Sequence, residues 1–423
     1  MTNGTYNLTN VIAITNTLTI QSASVNGRDV TILKGGYPTL TNRGFWVSSY
    51  AAGSIIDGFT VTNFSTGNGT YAGGAGGFIY GTIRNCLITG NKSLPIDPGS
   101  GYGGGLTVNN GTIISNCILQ GNTCANGGGG IYLYGDGKNV LIVDSVIRDN
   151  NTYLGEYWNG NCGGGIYIPG TITTNIIVSN CYIINNTSRH GGGGVAIGSS
   201  RGPINIISCI ITGNVAAGKN ATDFPRSSGG GIYSSSTNVH ISNCRITDNV
   251  ASNNGGGVYD SFGVNLRNSL VARNRTVTNN GGGVWTSTGI VESCTIVSNY
   301  AKVTGGGLYI DTVGSGTNNV IYFNTAGVSA NNFTNTAGNT GLSYSCVIPA
   351  VDGTRNITND PSLVNLDGGD YRLKGNSPCV NAGLNKNWMT NAVDLDGRSR
   401  IRYGAVDLGA YEAICGGTIY GFH

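Results

Sequence analysis

Charged residues are scarce in this chain. Asp, Glu, Lys and Arg make up 10% of its 423 residues, whereas about a quarter is typical of soluble domains. The net charge is +3, and the Lys and Arg residues form no cluster, so the sequence lacks the electrostatic footprint of a nucleic-acid-binding protein. A run of eighteen apolar residues is also missing, and such a run is what a membrane-spanning helix needs. We therefore expect no nucleic-acid partner and no transmembrane segment.

A secretory signal is not visible either. The chain opens at Met1 without the charged segment and following apolar segment of a signal peptide. Tyr6 to Leu8 and Val11 to Ile14 are typical of a coil of β-structure that is entered halfway. Either a signal peptide has been removed or the protein stays in the cytoplasm. We favour removal, and we expect a bacterial protein that is extracellular or attached to the cell surface.

Glycine, by contrast, is abundant: the chain contains 72, roughly two and a half times the average usage. Runs of glycine are followed by an aliphatic residue and then usually an aromatic one, as in "GGGIY". The runs recur at Gly103–Gly105, Gly127–Gly130, Gly163–Gly165, Gly191–Gly194, Gly229–Gly231, Gly255–Gly257, Gly281–Gly283 and Gly305–Gly307. A segment such as "NCLITGN" follows later in each unit. Its last asparagine recurs at Asn63, Asn91, Asn122, Asn150, Asn186, Asn214, Asn249, Asn274, Asn299 and Asn324.

These internal repeats predict the fold. Each unit contains short segments of alternating apolar and polar residues, which favours three strands and three turns per unit. No helical pattern intervenes, so parallel coils remain, and parallel crossovers are right-handed. We predict an all-β, right-handed parallel β-helix of about ten to twelve three-strand coils. Its predicted parts are N-terminal coils (1–62), repeats (63–349), a C-terminal capping segment (350–412) and an apolar tail (413–423).

Six of the eleven cysteines share one repeat position, where two other coils have serine. They are Cys86, Cys117, Cys181, Cys209, Cys244 and Cys294, with Ser145 and Ser269 as the serines. Stacked about 4.8 Å apart and pointing inward, they form a ladder of small buried thiols. A row of identical ligands does not close a tetrahedron, so we expect no metal.

The remaining cysteines allow disulfides. Cys124 and Cys162 each precede a glycine run in successive coils, and they are our candidate disulfide pair. Cys346, Cys379 and Cys415 lie near the C-terminus and are enough for one more bridge. An odd total leaves at least one thiol free.

The repeated asparagines are expected to make turns and to hydrogen-bond up and down the stack. Units of the form "GGG-aliphatic-Y…NC-x-I-x-x-N" resemble bacterial extracellular right-handed β-helix repeat proteins of the pectate-lyase-like superfamily. The resemblance covers nearly the whole chain, and residues 356–412 resemble the C-terminal capping segment of such proteins. It implies a fold and a surface location. It says little about activity, because that superfamily includes lyases, hydrolases, adhesins and proteins of no known function.

Carboxylates suited to catalysis are scattered. A lyase of this superfamily would need a carboxylate cluster for calcium and a Lys or Arg base, and a hydrolase would need two or three carboxylates around one bond. The best outward pair is Asp260 and Asp311, about 10 Å apart by strand spacing. We interpret these two residues as solvated carboxylates near turns in preference to a catalytic pair. Asp394 and Asp396 in "DLDG" suit either calcium or a turn. We predict no catalytic residue, no metal and no cofactor.

Aromatic residues recur at the position after the post-glycine aliphatic residue, which alternation points outward. This row comprises Tyr132, Tyr167, Tyr233, Tyr259, Trp285 and Tyr309, with Ala196 in one coil. Insertions Lys92–Tyr102, Asn151–Cys162 and Val215–Ser228 emerge on the same edge, and the second of them carries Tyr157 and Trp158. Two interpretations stay open: the rings bind sugars, or they stack on each other and stiffen the face.

A second outward row is apolar, directly after the Cys/Ser position: Leu87, Ile118, Val146, Tyr182 and Ile210. A contiguous apolar stripe on a soluble monomer indicates a partner surface, unless the strand phase is wrong by one residue. The uncharged tail adds Ile414, Ile419, Tyr420 and Phe422, which are suited to completing the open first coil of another copy.

Together these features favour a non-catalytic extracellular structural or adhesive protein. We expect it to associate with copies of itself, as an oligomer or filament, and to contact polysaccharides. The alternative is a polysaccharide lyase or glycoside hydrolase that acts on an acidic polysaccharide.

Overall fold

The computed structural model describes residues 1–24, 27–67, 73–94, 101–135, 138–153, 162–218, 227–329, 331–336, 338 and 341–414. Four parallel sheets of 13, 12, 12 and 10 strands run along a solenoid of about 11 turns. The predicted all-β, right-handed parallel β-helix is confirmed. In addition to the three predicted strands, most coils contain a fourth, which is only two residues long.

Each coil passes through the sheets in the same order. We name three sheets after the residue type that precedes most of their strands, and we call the sheet between the glycine and cysteine sheets the linking sheet. The glycine sheet follows the glycine runs: Ile12–Ile14, Phe45–Val47, Gly77–Ile79, Leu106–Val108, Ile131–Leu133, Ile166–Ile168, Val195–Ile197, Ile232–Ser234, Val258–Asp260, Val284–Thr286, Leu308–Ile310 and Phe333–Asn335. The linking sheet comes next: Thr19–Gln21, Ile55–Asp57, Thr82–Arg84, Ile113–Ser115, Val140–Val143, Ile176–Ser179, Ile204–Ile207, Val239–Ser242, Asn265–Arg267, Ile290–Glu292, Ser315–Thr317 and Leu342–Ser343.

The coil then passes the Cys/Ser position and enters the cysteine sheet. Its strands are Gly4–Asn7, Thr31–Lys34, Thr60–Thr62, Leu87–Thr89, Ile118–Gln120, Val146–Arg148, Tyr182–Ile184, Ile210–Thr212, Arg245–Thr247, Leu270–Ala272, Thr295–Val297, Val320–Tyr322 and Cys346–Val347. The two-residue strands form the asparagine sheet: Ser65–Thr66, Lys92–Ser93, Thr123–Cys124, Asn151–Thr152, Thr187–Ser188, Val215–Ala216, Val250–Ala251, Arg275–Thr276, Tyr300–Ala301 and Thr325–Ala326.

Other regular structure is sparse in the described residues. It consists of one α-helical turn (Gly27–Val30), two 3-10 turns (Ser49–Ala51 and Asn387–Met389) and one antiparallel pair (Leu363–Asn365 with Asp370–Leu373). None of these helical segments has the length or apolarity to cross a membrane.

The core is a set of inward rows, one residue per coil. The six cysteines of the predicted ladder are at most 1% exposed. Two residues after the Cys/Ser position, the aliphatic residues are completely buried: Ile88, Leu119, Ile147, Ile183, Ile211, Ile246 and Ile296. Residues between them face outward, because side chains alternate along a strand. The predicted cysteine ladder and its strand phase are therefore confirmed.

A buried row of asparagines, which we call the asparagine ladder, forms the tightest turn of each coil. Asn122 is representative: its Nδ2 donates to Asn150 Oδ1 (3.0 Å) and to the Ile88 carbonyl (2.9 Å). Its Oδ1 accepts from the backbone N–H and the Nδ2 of Asn91, both at 3.1 Å. The predicted hydrogen bonding along the stack is confirmed for Asn91 through Asn324.

The predicted place of Asn63 in the asparagine ladder is wrong. Sequence spacing includes it in the ladder, but the backbone amide that bonds to Asn91 Oδ1 belongs to Phe64. Asn63 instead lies at a turn with a φ of 59°, a conformation that asparagine tolerates better than most residues. The ladder therefore begins one coil later than predicted.

The glycine runs pass directly beside the ladder. A Cβ atom on Gly130 would lie 2.8 Å from the Gly165 carbonyl oxygen and 3.1 Å from Asn150 Nδ2. Gly128 of the same run has a φ of 70°, which favours glycine. The runs are thus required by the close approach of backbone to ladder, as well as by the turn.

The structure contains neither of the suggested disulfides. Cys124 and Cys162 are both buried, free thiols, so the predicted bridge between successive coils is not formed. Cys346 and Cys379 are also buried and free, and Cys415 lies outside the described residues.

The first prediction concerns the ladder. Asn186→Ala removes the acceptor of two Asn150 donors and the donor to the Ile147 carbonyl. Because each buried group left unpaired costs about 1–3 kcal/mol, we expect the free energy of unfolding to fall by at least about 3 kcal/mol. Urea denaturation measures it. The control is Asn205→Ala, whose side chain bonds only Asn175 at the surface and should cost less than about 0.5 kcal/mol. Equal losses for both variants would contradict a structural ladder.

The second prediction concerns the thiols. Burial raises the pKa of Cys162 and of Cys294 to about 12, so these thiols are both protonated and inaccessible. We expect a maleimide to leave the ten described cysteines unmodified in the native protein, and to label all eleven after unfolding without reductant. Any native labelling should disappear in Cys415→Ser. Rapid native labelling of Cys181 or Cys209 would mean that the strand phase is wrong.

Candidate functional site

The outward row of the cysteine sheet is continuous. Leu87, Ile118, Val146, Tyr182 and Ile210, which we call the apolar row, are direct register neighbours in five successive coils. Tyr182 is 47% exposed and the other four side chains are half-buried. The structure thus places these five predicted residues together on one outer face.

The row of outward positions continues in register into later coils, where another part of the chain covers it. Ile210 is followed by Arg245, Leu270, Thr295 and Val320. Leu270 is 4% exposed and Val320 is completely buried. The cover is the chain's own C-terminal segment. Its buried apolar residues are Leu363, Tyr371, Leu373, Leu408, Ala410, Tyr411 and Ala413.

Polar contacts hold this segment along the side of the solenoid. Arg245 Nη1 donates to the Tyr411 hydroxyl at 2.8 Å, and Arg273 Nη1 donates to the Tyr371 hydroxyl at 2.8 Å. The backbone N–H of Ala410 donates to Thr295 Oγ1. Among the described residues these contacts extend no further toward the N-terminus than Arg245. The segment therefore covers the later half of the face and leaves the apolar row open.

Only the first residues of the segment lie against the end of the solenoid. Ile357 bridges Cys346 and so extends the cysteine sheet beyond its last strand. Val351 packs against the main core, and Asn332 Nδ2 donates to the Ile348 carbonyl. Residues 348–357 thus contact the last coil, while later residues run back beside the cysteine sheet.

Buried charges hold the segment together. Arg400 Nη1 lies 3.3 Å from Glu412 Oε1, and both side chains are at most 1% exposed. Burial raises the pKa of Glu412 to about 8, although Arg400 opposes the shift. Asp394, one of the two suggested calcium ligands, accepts the backbone N–H groups of Asp396, Arg398 and Glu412. These bonds favour the turn interpretation. In the part of the chain that the structure describes, no group of three or more His, Cys, Asp or Glu could hold a metal ion.

The outward aromatic row forms two stacks, separated by Ala196. Ring centroids are 4.5 Å apart in Tyr102–Tyr132 and 5.6 Å apart in Tyr132–Tyr167. In the second stack the distances are 5.1 Å (Tyr233–Tyr259), 4.6 Å (Tyr259–Trp285) and 6.1 Å (Trp285–Tyr309). Because the rings cover each other's faces, an inner ring leaves mainly its edge for a ligand. Sugar binding by this row stays a prediction.

Several outward residues were missed by sequence reasoning. Trp46 and Phe78 extend the aromatic row toward the N-terminus, and Tyr102 joins the first stack from an insertion. The signal was present: Gly44-Phe45 stands before Trp46 as a shortened glycine run and its large apolar residue. Five of the predicted residues lie outside the described residues: Tyr157, Trp158, Ile419, Tyr420 and Phe422. Another predicted residue, Ile414, is 61% exposed.

The prediction that Asp260 faces outward and pairs with Asp311 is wrong. This carboxylate is completely buried and accepts the backbone N–H groups of Phe262 and Val264 and the Thr286 hydroxyl. The side chain belongs to a turn because the strand Val258–Asp260 ends there, and its burial removes it from any ligand on the outer face.

The third prediction is a pH dependence of the C-terminal segment. A carboxyl group whose pKa is raised by folding binds its proton more tightly in the folded state. Its contribution to stability is complete below the ordinary value of 4.5 and is lost as the pH rises through about 8. We expect the melting midpoint of the segment to fall between about pH 5 and about pH 8.5. Scanning calorimetry measures it.

The matched variants are Glu412→Gln and Asp370→Asn. Glu412→Gln should flatten the pH dependence without abolishing it, because burial also raises the pKa of Asp407. Asp370→Asn should leave the slope in this range unchanged, because Arg372 lowers the pKa of Asp370. A midpoint that rises with pH across this range would contradict a buried, protonated Glu412.

Two solved structures are similar to this chain at low sequence identity. The solved structure of pectate lyase Pel9A is similar, with a TM-score of 0.40 and 17% identity over 97% of this chain and 86% of that one. The catalytic unit of a thermostable GH87 alpha-1,3-glucanase from Streptomyces thermodiastaticus strain HF3-3 gives a TM-score of 0.33 and 12% identity. That match covers 85% of this chain but only 61% of the glucanase unit. No curated protein matches.

The family comparison is more direct. Residues 18–226 match the family described as the right handed beta helix region. The cysteine sheet continues in the same register from these residues to Val347. The family match therefore covers the coils from residue 18 to residue 226, and the same coil continues beyond them.

Proposed function

We propose that the protein is a non-catalytic structural β-helix that associates with copies of itself through the apolar row. One observation carries the proposal. Over the later coils, the outer face of the cysteine sheet is buried by another part of the chain, with Leu270 4% exposed and Val320 completely buried. The face continues in register into Tyr182 and Ile210, where no described residue covers it. A surface that is buried along half its length supports burial of the rest by a second copy.

The size of the uncovered face suits such a contact. Five coils spaced about 4.8 Å apart make the apolar row about 20 Å long. A second row on the linking sheet, Ile113, Leu141 and Ile177, runs parallel to it. Ile113 is 36% exposed. Apolar burial contributes about 25 cal/mol per Å², and a specific interface needs about 800 Å² per partner. Pairing of the row with itself about a two-fold axis would use the same residues on both copies.

Low charge also supports the proposal, because a net charge of +3 offers little repulsion between copies. The ends of the solenoid supply a further candidate contact. Among the described residues, the first strand of the cysteine sheet, Gly4–Asn7, bonds on one side only, to Thr31–Lys34. Open edges of this kind accept strands from other chains. The exposed Ile414 and the residues after it are the segment that we propose adds to this edge.

An extracellular or surface location and contact with polysaccharides belong to the same proposal. They rest on the resemblance of the repeats to extracellular proteins and on the outward ring edges of the aromatic row. The alternative, a polysaccharide lyase or glycoside hydrolase, needs clustered outward carboxylates, and Asp260 is buried. Incubation with pectin, alginate and glycosaminoglycans, followed by absorbance and reducing-end assays, separates the two. Turnover of any of them would overturn the non-catalytic proposal.

The fourth prediction tests the self-association. In the double variant Ile118→Lys and Ile210→Lys, two ammonium groups interrupt the apolar row without entering the core. We expect the mass measured by light scattering to fall from that of an oligomer to that of a monomer. The control is Thr173→Lys, which adds a charge at an exposed residue between the strands Ile166–Ile168 and Ile176–Ser179, outside both apolar rows.

Two outcomes would contradict the proposal. One is an unmutated protein that is already monomeric at high concentration. The other is an oligomer whose mass is the same in the double variant and in the control.

A further inference from the structure

We propose that a cavity beside Trp46, at the N-terminal end of the glycine sheet, is a saccharide site in which a sugar ring packs against the indole. The cavity has a volume of about 470 Å³, within the range of small-molecule sites. Its walls include Thr9, Asn10, Thr41 and Arg43 as well as Trp46. This inference does not depend on the self-association, because it uses a different face.

Trp46 differs from the other rings of the aromatic row. Trp285 is 9% exposed and lies stacked between Tyr259 and Tyr309. Trp46 is 36% exposed and makes no ring-ring contact with any residue that the structure describes. An indole that is free of ring partners can offer its face to a ligand, which an inner ring of a stack cannot do.

The register explains why this indole has no ring partner. On the N-terminal side, Trp46 pairs with Ala13, whose methyl group is too small to fill the space beside an indole. On the other side it pairs with Phe78. The Phe78 ring packs instead with Tyr80 (6.0 Å) and Tyr134 (5.7 Å), and the Arg43 guanidinium lies 5.2 Å from its centre. The cavity lies next to this indole, between residues 9–11, 41–43 and 65–66.

The walls supply hydrogen-bonding groups around the apolar indole. Asn10 and Thr41 are exposed, and Thr9 lies beside them. An apolar face with a few polar groups at its rim suits a pyranose, which has C–H groups on its faces and hydroxyl groups around its edge. Buried aromatic surface contributes strongly to such contacts.

Charge narrows the class of sugar. Arg43 is the one charged residue among those lining the cavity, and its Nε is held by the carbonyl oxygens of Gly73 (3.2 Å) and Gly74 (3.0 Å). Burial lowers its pKa to about 10, so it is still protonated at neutral pH. The described residues that line the cavity supply one cation and no carboxylate, which favours a sugar that carries a negative charge over a neutral one.

The fifth prediction tests this site with two probes. One is a tetrasaccharide of alternating glucuronate and N-acetylglucosamine, and the other is cellotetraose. Titration is followed by tryptophan fluorescence and by affinity electrophoresis. We expect saturable binding of the charged tetrasaccharide, at least about tenfold tighter than that of cellotetraose. Trp46→Ala should weaken binding at least about tenfold, since the stacking surface is removed.

Two matched variants complete the design. Ala13→Trp fills the space beside Trp46 with a second indole, so it should block binding while leaving the coil folded. Trp388→Phe changes a tryptophan that lies outside the aromatic row, beside Arg267, so it should bind like the unmutated protein.

The site is overturned if neither tetrasaccharide binds, or if Trp46→Ala and Ala13→Trp both bind normally. It is also overturned if Trp388→Phe loses as much affinity as Trp46→Ala. Repeating the titration in the Ile118→Lys and Ile210→Lys background keeps loss of self-association separate from loss of sugar binding.

Discussion

The buried column of asparagine amides sets the geometry of this solenoid. From Asn122 to Asn324, each ladder amide uses both of its donors and accepts two hydrogen bonds, so it joins a coil to the coils on both sides of it. The backbone must come close to reach this column. A side chain on Gly130 would meet Asn150 Nδ2 and the neighbouring carbonyl oxygen, so the glycine runs and the asparagines depend on each other. Once this spacing is set, the cysteines and isoleucines follow in register.

A strictly repeated interior leaves the differences between coils on the outer surface. The C-terminal segment lies along the last five of the thirteen strands of the cysteine sheet and is held there by Arg245 and Arg273 and, internally, by the Arg400–Glu412 pair. The apolar row in the five strands before them remains open. The aromatic row shows the same principle at a smaller scale, because it has no ring at Ala13 and the Trp46 indole, left without a ring partner, lines a cavity. Both proposed binding surfaces therefore lie where a repeated pattern is interrupted.

Several incorrect predictions have one physical cause: the position of a residue in the repeat does not determine which residues surround its side chain. Asp260 stands at the end of a strand and looks outward by spacing, yet its carboxylate satisfies a buried turn. Cys124 and Cys162 precede equivalent glycine runs, but both are free thiols. Asn63 has the right residue type and nearly the right spacing, but the chain places Phe64 at the ladder level.

The sequence by itself determined the parallel coils, the inward cysteines and isoleucines and the outward phase of Leu87 and its neighbours. It could do so because identical residues at a fixed spacing must stack when coils add one strand at a time. Only the tertiary structure decided which part of that outer face is buried, because the covering residues are distant in sequence from the strands that they cover. It also decided that Trp46 has no ring partner while Trp285 has two, which depends on the register between coils of unequal length. Local patterns thus set the coil, and contacts between distant residues set which of its surfaces remain open.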